Sequence, residues 1–481
     1  MNDGNFNEYQ LSGELLKAIS LLNFASPTKV QSQVIPAILA QKDIIVKSQT
    51  GSGKTAAFGI PICELVDWDQ NKPQALVLTP TRELAVQVRE DLFHIGRFKR
   101  IKVAAIYGKY PFDVQEKELK QKTHVVVGTP GRLIDHIERG TLDTSNIKYL
   151  VLDEADEMLN MGFIEQIETI ITDLPRDRVT ILLSATMPHG INGLCSKIMI
   201  NPILVKIEEQ NPAAGRIVQE RYHVNQPDKM QLLRNLTIVE NPDSCIIFCN
   251  TKQTVDEVYS ELAKLNYSCE KLHGGMEQRD RSNIMKDFKQ GLFRYLCATD
   301  VAARGLDIED ITLIINYDIP YDSESYVHRI GRTGRVDKQG KALTFVTKNE
   351  DKFLKEIHDY MGKEIPLKAG PDEETVHQLK KDFMAKNNTI PEIKESKGAQ
   401  LCTEIMKIHV NAGKKTKMRP VDIVGTLCSI QGITAADIGI INILDVSTFV
   451  EILNNKGQLV LHELQNTPIK GRLRKVSKAD R

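Results

Sequence analysis

The chain reads as an α/β protein: two parallel-sheet units in tandem, followed by a small α+β unit of βαββαβ order. Three observations predict this. Short β-branched apolar runs alternate with helical patterns, and each run ends in a polar cluster. That rhythm stops at a turn-rich stretch, "EEQNPAAG" (208–215), and then restarts. Beyond residue 400 the order of elements changes and the charge becomes basic.

In the first unit the strands are "DIIVK" (43–47), "ALVLTP" (75–80), "VVVGTP" (125–130), "YLVLDEAD" (149–156) and "TILLSAT" (180–186). Apolar runs with polar C-terminal ends are the pattern of buried parallel strands carrying function at their carboxyl ends. The second unit repeats it in "CIIFCNTK" (245–252), "YLCATD" (295–300), "LIINYD" (313–318) and "ALTFVT" (342–347), without an alignable repeat. From 363 to 400 the chain is charged, contains Pro366, Pro371 and Pro391, and has a weakly helical middle, as a linker would. In the third unit "IMKIHV", "DIGIINIL", "TFVEIL" and "IKGRLRKV" read as strands, with a helix at "VDIVGTLCSI". The expected units are therefore 1–208, 209–362, the linker 363–400, and 401–481.

Composition narrows the function classes. With 41% hydrophobic and 26% charged residues the chain is an ordinary globular one. No apolar run approaches the roughly 18 residues a membrane span needs, and "MNDGNFNEYQ" has neither the basic nor the apolar region of a signal peptide. Cys245 and Cys249 have no second Cys/His pair, so no structural metal is expected; the eight cysteines read as reduced thiols of a cytoplasmic protein. The net charge is zero, but residues 401–481 hold eight Lys and four Arg against seven acidic residues, a local +5. A neutral protein with a basic end predicts local attraction to a polyanion.

The nucleotide chemistry is explicit. "SQTGSGKT" (48–55) joins a strand to a helix. The backbone of Gly51, Ser52 and Gly53 can close on phosphate oxygens, Lys54 can reach the β- and γ-phosphates, and Thr55 can ligate Mg²⁺. The strict pattern has glycine where Ser48 stands. Asp153, delivered by an apolar strand, would hold Mg²⁺, and Glu154 would orient or deprotonate the attacking water. Arg332 and Arg335 in "HRIGRTGR" would neutralise charge on the γ-phosphate from the other unit. Mg²⁺ and a nucleoside triphosphate are thus the expected cofactors, and hydrolysis requires the two units to close on each other.

"VLDEADEML", with "SQTGSGKT", "PTRELA", "TPGR", "SAT", "HGG", "ATDVAARGLDI" and "HRIGRTGR" in this order, resembles the DEAD-box ATP-dependent RNA helicases over about residues 6–347. The resemblance implies two RecA-like domains, and the third unit is similar to the variant RNA-recognition (RRM-like) domain of the DbpA type. It also implies that "NFASPTKVQ" reads adenine through Gln31 and Phe24, with Phe6 upstream. Asp307 would contact ribose, with Arg304 beside the closed nucleotide site. Ser184 and Thr186 would couple hydrolysis to strand separation, tied in by Asp156. RNA contacts carry over to Thr81, Arg82, Gly108, Thr129 and Arg132, and to Thr251, Gly275, Gln278, Arg281, Thr299 and Asp300. Lys109 replaces a second glycine of the family, with either an added phosphate contact or a blocked backbone approach as the consequence.

Such contacts are sequence-blind, so specificity falls to the third unit. Its aromatic signature is degraded: Phe449 remains, Ser447 replaces the other aromatic, and His409 lies near the remaining stacking position. Recognition is therefore expected from a basic loop, Lys414, Lys415, Lys417 and Arg419, and from a basic tail, Lys470, Arg472, Arg474, Lys475 and Lys478. The function read from all this is an RNA-stimulated ATPase that locally unwinds structured RNA. By resemblance its partners are 23S rRNA and the assembling large ribosomal subunit. A monomer is expected, with no membrane partner. An ATP-gated RNA clamp and a DNA helicase are the rival readings.

Overall fold

A computed structural model describes residues 4–48, 51–207, 217–300, 311–334, 339–389, 393 and 404–479. The first unit contributes β1 (Ile44–Lys47), β2 (Ala75–Leu78), β3 (Val103–Ile106), β4 (Val125–Gly128), β5 (Tyr149–Leu152), β6 (Val179–Ser184) and β7 (Ile203–Lys206). They form one parallel sheet in the order β3-β4-β2-β5-β6-β1-β7. Strands β2, β4, β5 and β6 are buried at every position. The cause is that helices cover both faces: Val77, Val127 and Val151 enter one apolar core, and Leu76, Val126 and Leu150 enter the other.

The second unit repeats the plan with β8 (Ile217–His223), β9 (Cys245–Phe248), β10 (Cys269–Leu272), β11 (Tyr295–Ala298), β12 (Leu313–Asn316) and β13 (Gly340–Val346). The order is β10-β11-β9-β12-β13-β8, again parallel and again with a core on each face. The stretch read from sequence as a linker is partly built into this unit. Ile365 is buried in one core, and Pro366 to Lys368 bond along Arg221 of β8. The helix Glu373–Asn387 packs on the helix Lys229–Glu240 and places Phe383 in the other core.

The third unit has β14 (Met406–Val410), β15 (Ile438–Ile443), β16 (Thr448–Ile452) and β17 (Val476–Lys478), with helices Pro420–Cys428 and Gly457–Glu463. Its sheet is antiparallel, in the order β15-β16-β14-β17, so the βαββαβ order holds. The last strand departs from expectation, starting only at Val476, the final residue of "IKGRLRKV". Left-handed backbone at Lys470 (φ 53°) and Gly471 (φ 73°) turns the chain there, and Ile469 pairs with Arg472. Period-two alternation sends Ile408, Val410, Val450 and Ile452 into the core under the helices. Lys407, His409, Phe449 and Glu451 consequently lie on the other face. Gly413 is required because a Cβ there would collide with Leu444 O and the backbone at Ser447.

Candidate nucleotide and RNA interface

The loop after β1 delivers the phosphate-binding groups. Gly51 (φ 81°) and Gly53 (φ 86°) are left-handed, and a Cβ on Gly53 would stand 2.7 Å from Gln31 Nε2. The helix Lys54–Leu65 begins immediately afterwards, so its unpaired amides and positive end face the loop. Lys54 is buried, and its Nζ donates to Ser48 O at 2.8 Å. Ser48 takes the glycine position without strain: it lies outside the left-handed region, and its hydroxyl donates to Ser52 Oγ at 2.7 Å. Gln31 is also buried; its Oε1 accepts from Thr28 N (3.0 Å) and its Nε2 donates to Gly53 O (3.3 Å). The residue expected to read adenine is thus also bonded to the phosphate loop. Phe24 is half-buried against the first core, whereas Phe6 is fully within it.

At the end of β5, Asp153 is 4% exposed and accepts the Glu154 amide at 3.0 Å. Burial, then the neighbouring Glu154 charge, pushes its carboxyl up to about 7, against the opposing pull of Lys54 and that amide. Glu154 is held in left-handed backbone (φ 52°), a conformation that costs a non-glycine residue roughly 1 kcal/mol or more. Its carboxyl is also raised, first by burial, while Arg332, Lys54 and His328 oppose the shift. The buried Asp153 carboxylate with surplus negative neighbours, and the Thr55 hydroxyl in the first turn of the helix Lys54–Leu65, are hard-oxygen donors of the kind Mg²⁺ takes. Among the described residues no group of three or more His, Cys, Asp or Glu is arranged to hold a metal. That does not conflict, because Mg²⁺ usually takes one or two carboxylates and fills its sphere with phosphate and water.

Asp156 reaches from this site to the end of β6. Its Oδ2 accepts from Ala185 N (3.0 Å), Thr186 N (2.7 Å) and Thr186 Oγ1 (3.1 Å), and Ser184 Oγ donates to Thr186 O at 2.5 Å. The three residues expected to couple are therefore one bonded cluster.

The second unit closes over the site. Arg332 is buried, and its Nε donates to His328 O at 3.2 Å. His328 Nδ1 meets Glu157 Oε1 at 2.5 Å, and Asn160 Nδ2 donates to Glu324 Oε2 at 3.2 Å, both between the units. Arg335, Asp307 and Arg304 lie outside the described residues. Two residues of "HRIGR" were not singled out from sequence. His328 is the cross-unit partner of Glu157. Arg329 is buried and binds Asp300 (2.5 and 2.6 Å), Asn250 Oδ1 (2.8 Å) and Asp318 O (2.6 Å). Their place beside Arg332 was the available signal.

The residues expected to contact RNA come from both units, and Arg82, Gln278 and Arg281 meet between them. Thr81 and Thr251 each cap a helix, accepting from Leu84 N (3.2 Å) and Thr254 N (3.1 Å). The two units thus present equivalent helix N-termini, which suit phosphate. Arg82 Nη1 donates to Gln278 Oε1 (3.2 Å), Gln278 Nε2 donates to Glu83 Oε1 (3.1 Å), and Arg281 Nη2 pairs with the same oxygen at 2.8 Å. Glu83 holds this group together and was missed from sequence. Arg132 donates to Tyr110 O and Gln115 Oε1, both at 2.9 Å. Gly108 has open space for a Cβ except near Arg82, Gly275 is exposed, and Thr129 and Thr299 are half-buried. Lys109 keeps the left-handed backbone (φ 57°) that glycine would adopt, with its side chain exposed.

In the third unit, Lys414, Lys415, Lys417 and Arg419 are exposed on the loop before the helix Pro420–Cys428. Lys470 Nζ donates to Lys417 O at 2.5 Å and meets Asp422 Oδ2 at 3.3 Å, so loop and tail form one basic surface with the exposed Arg472, Lys475 and Lys478 and the half-buried Arg474. His409 and Phe449 form a tilted ring pair (5.1 Å) with Lys407 Nζ over Phe449 (5.2 Å), and His409 Nε2 bonds Ser447 Oγ at 3.0 Å.

Two RecA-like domains that bring a phosphate loop and an Asp-Glu pair together with arginine from the second domain define an ATP-hydrolysing helicase core. Comparison with known proteins agrees. Residues 28–194 match the DEAD/DEAH box helicase model, 228–337 the helicase conserved C-terminal domain, and 407–478 the DbpA RNA binding domain. The chain is 55% identical to the ATP-dependent RNA helicase DbpA of Bacillus subtilis, covering 99% of this chain and all of that one. It is 49% identical to the DEAD-box helicase CshA of Geobacillus kaustophilus, over 72% of this chain and 74% of the relative. Among solved structures, S. cerevisiae Dbp5 bound to RNA and ADP BeF3 matches with a TM-score of 0.71 at 33% identity, covering 79% of this chain and 99% of that one. Mss116 bound to ssRNA and UDP-BeF matches at 0.71 and 29%, over 80% and 82%. The chain belongs to the DEAD-box ATP-dependent RNA helicases, and its third domain makes it one of the DbpA type. It is an ATP-hydrolysing, RNA-binding enzyme. No described helix is long and apolar enough to cross a membrane.

Proposed function

We propose that ATP-driven closure of the two RecA-like domains locally melts structured RNA, with 23S rRNA in large-subunit assembly as the target. The observation that carries the mechanism is the cross-domain contact at the nucleotide site: Glu157 meets His328, whose carbonyl accepts from Arg332. In this reading Gly51, Ser52, Gly53 and Lys54 bind the phosphates, Gln31 and Phe24 take the adenine, and Asp307 takes the ribose. Asp153 and Thr55 hold Mg²⁺, which when bound offsets phosphate charge. Glu154 orients the attacking water and accepts its proton. Arg332 and Arg335 stabilise charge on the transferring phosphoryl group.

Nucleotide contacted from both domains favours the closed state over the open one. Closure aligns the two helix N-termini at Thr81 and Thr251 and bends one bound strand away from its partner. Loss of the γ-phosphate removes the bridge. Asp156 carries that change to Ser184 and Thr186. The basic loop and tail hold structured RNA by charge and shape, raising its local concentration at the core. The ribosomal target rests on the resemblance of residues 407–478 to the DbpA RNA binding domain. We further propose a cytoplasmic monomer. Crosslinking the full chain to total cellular RNA tests the target: sites clustered in 23S rRNA and lost on charge reversal of the basic loop are expected, and sites scattered over all RNAs would contradict it.

A further inference from the structure

The outer face of the third sheet is partly covered by the first domain. The connection between the helix Arg82–Ile95 and β3 supplies three cations. Arg97 Nη2 pairs with Glu451 Oε1 of β16 at 3.2 Å, with side chains 9% and 11% exposed. Lys102 Nζ donates to Ile441 O (3.1 Å) and Asn442 Oδ1 (3.2 Å) of β15, and Arg100 Nη2 to Ala435 O (2.5 Å). Beside them Lys17 Nζ binds Glu404 (2.9 Å) and Asn454 Oδ1 (3.0 Å), and Leu453 packs with Ala18 and Phe98.

The charges are complementary in a telling way. The third domain is basic overall, yet it meets these cations through Glu404 and Glu451. Lys414, Lys415, Lys417 and Arg419 remain exposed. The contact also lies at the N-terminal end of β3, whereas Gly108 follows its C-terminal end, so the dock is remote from the nucleotide and RNA cleft. On its other side the chain enters the third domain from the helix Glu373–Asn387, which packs on the second domain. The third domain is thus tied covalently to one core domain and held noncovalently by the other.

We propose that the outer sheet face of the third domain, at β15 and β16, is a docking surface for the first RecA-like domain. It is not a base-stacking surface. Docking leaves His409 and Phe449 half-buried on that face and fixes the orientation of the basic loop relative to the core. A buried charge pair is costly to break from one side, because the surviving charge stays desolvated, whereas exchanging both signs preserves it. That asymmetry supplies the test. Small-angle scattering of the full chain is compared for wild type, R97E, E451R and the exchanged pair R97E/E451R. Neither residue belongs to the nucleotide site or the RNA cleft. Both single variants are expected to show a larger radius of gyration, and the exchanged pair to return to the wild-type value. Unchanged scattering in both single variants, or an exchanged pair as expanded as they are, overturns the proposal.

Discussion

Replacing His328 with alanine should loosen the coupling between nucleotide and RNA. The side chain meets Glu157 across the cleft at 2.5 Å, with the two side chains 12% and 3% exposed. Breaking a buried pair from one side costs about 3 kcal/mol at the low end of the usual range, or roughly 10² in the closed-to-open ratio. The cost falls on the closed state alone if the pair forms only on closure. RNA affinity is measured with and without a non-hydrolysable ATP analogue, and the ratio of the two gives the coupling factor. For H328A that factor should fall by up to about 10², and E157Q should add little to it, since both remove one interaction. An unchanged ratio in H328A would refute the assignment of this pair to closure.

The same pair sets a pH dependence. Burial alone would lower His328, but hydrogen bonding to Glu157 and its charge outweigh it, so the net shift is upward from 6.5. A raised histidine contributes fully below its ordinary value and loses its contribution as pH rises through the raised one. Coupling should therefore decline on the alkaline side and gain nothing on acidification, and H328A should abolish that dependence. E154Q should slow RNA-stimulated hydrolysis by roughly 10² to 10⁴ while nucleotide binding persists, as single-turnover kinetics would show. D156A leaves three donors of the Ala185–Thr186 segment unpaired, at about 1–3 kcal/mol for each that stays buried; strand separation per ATP hydrolysed should drop more than hydrolysis itself. Charge reversal at Lys415 and Arg419 should raise the RNA concentration for half-maximal ATPase, leaving saturated turnover similar, as an RNA titration would read.

The strands of both large sheets were legible because burial on two faces demands continuous apolar runs, and "ALVL", "YLVL" and "CIIF" have no other reading. The phosphate loop was legible because left-handed backbone at Gly51 and Gly53 needs glycine. Contacts between distant residues were not. Nothing local marks Glu83 as the anchor of Gln278 and Arg281, or Glu157 as the partner of His328. The last strand starts later than expected because "IKGRLRKV" has strand-like alternation, while Lys470 and Gly471 impose a turn. The helix Glu373–Asn387 was faint because few of its residues are buried, Phe383 chief among them. The covered sheet face was invisible for a similar reason: Arg97 and Glu451 are ordinary surface residue types until two domains meet.

Strand displacement as a function of duplex length, with ATP against a non-hydrolysable analogue, tests the central claim most directly. Closure that bends one strand should separate short duplexes with ATP, fail on duplexes several helical turns long, and turn over only when hydrolysis reopens the cleft. Efficient opening of long duplexes would contradict local melting, and RNA held without strand separation under ATP would identify the enzyme as a clamp.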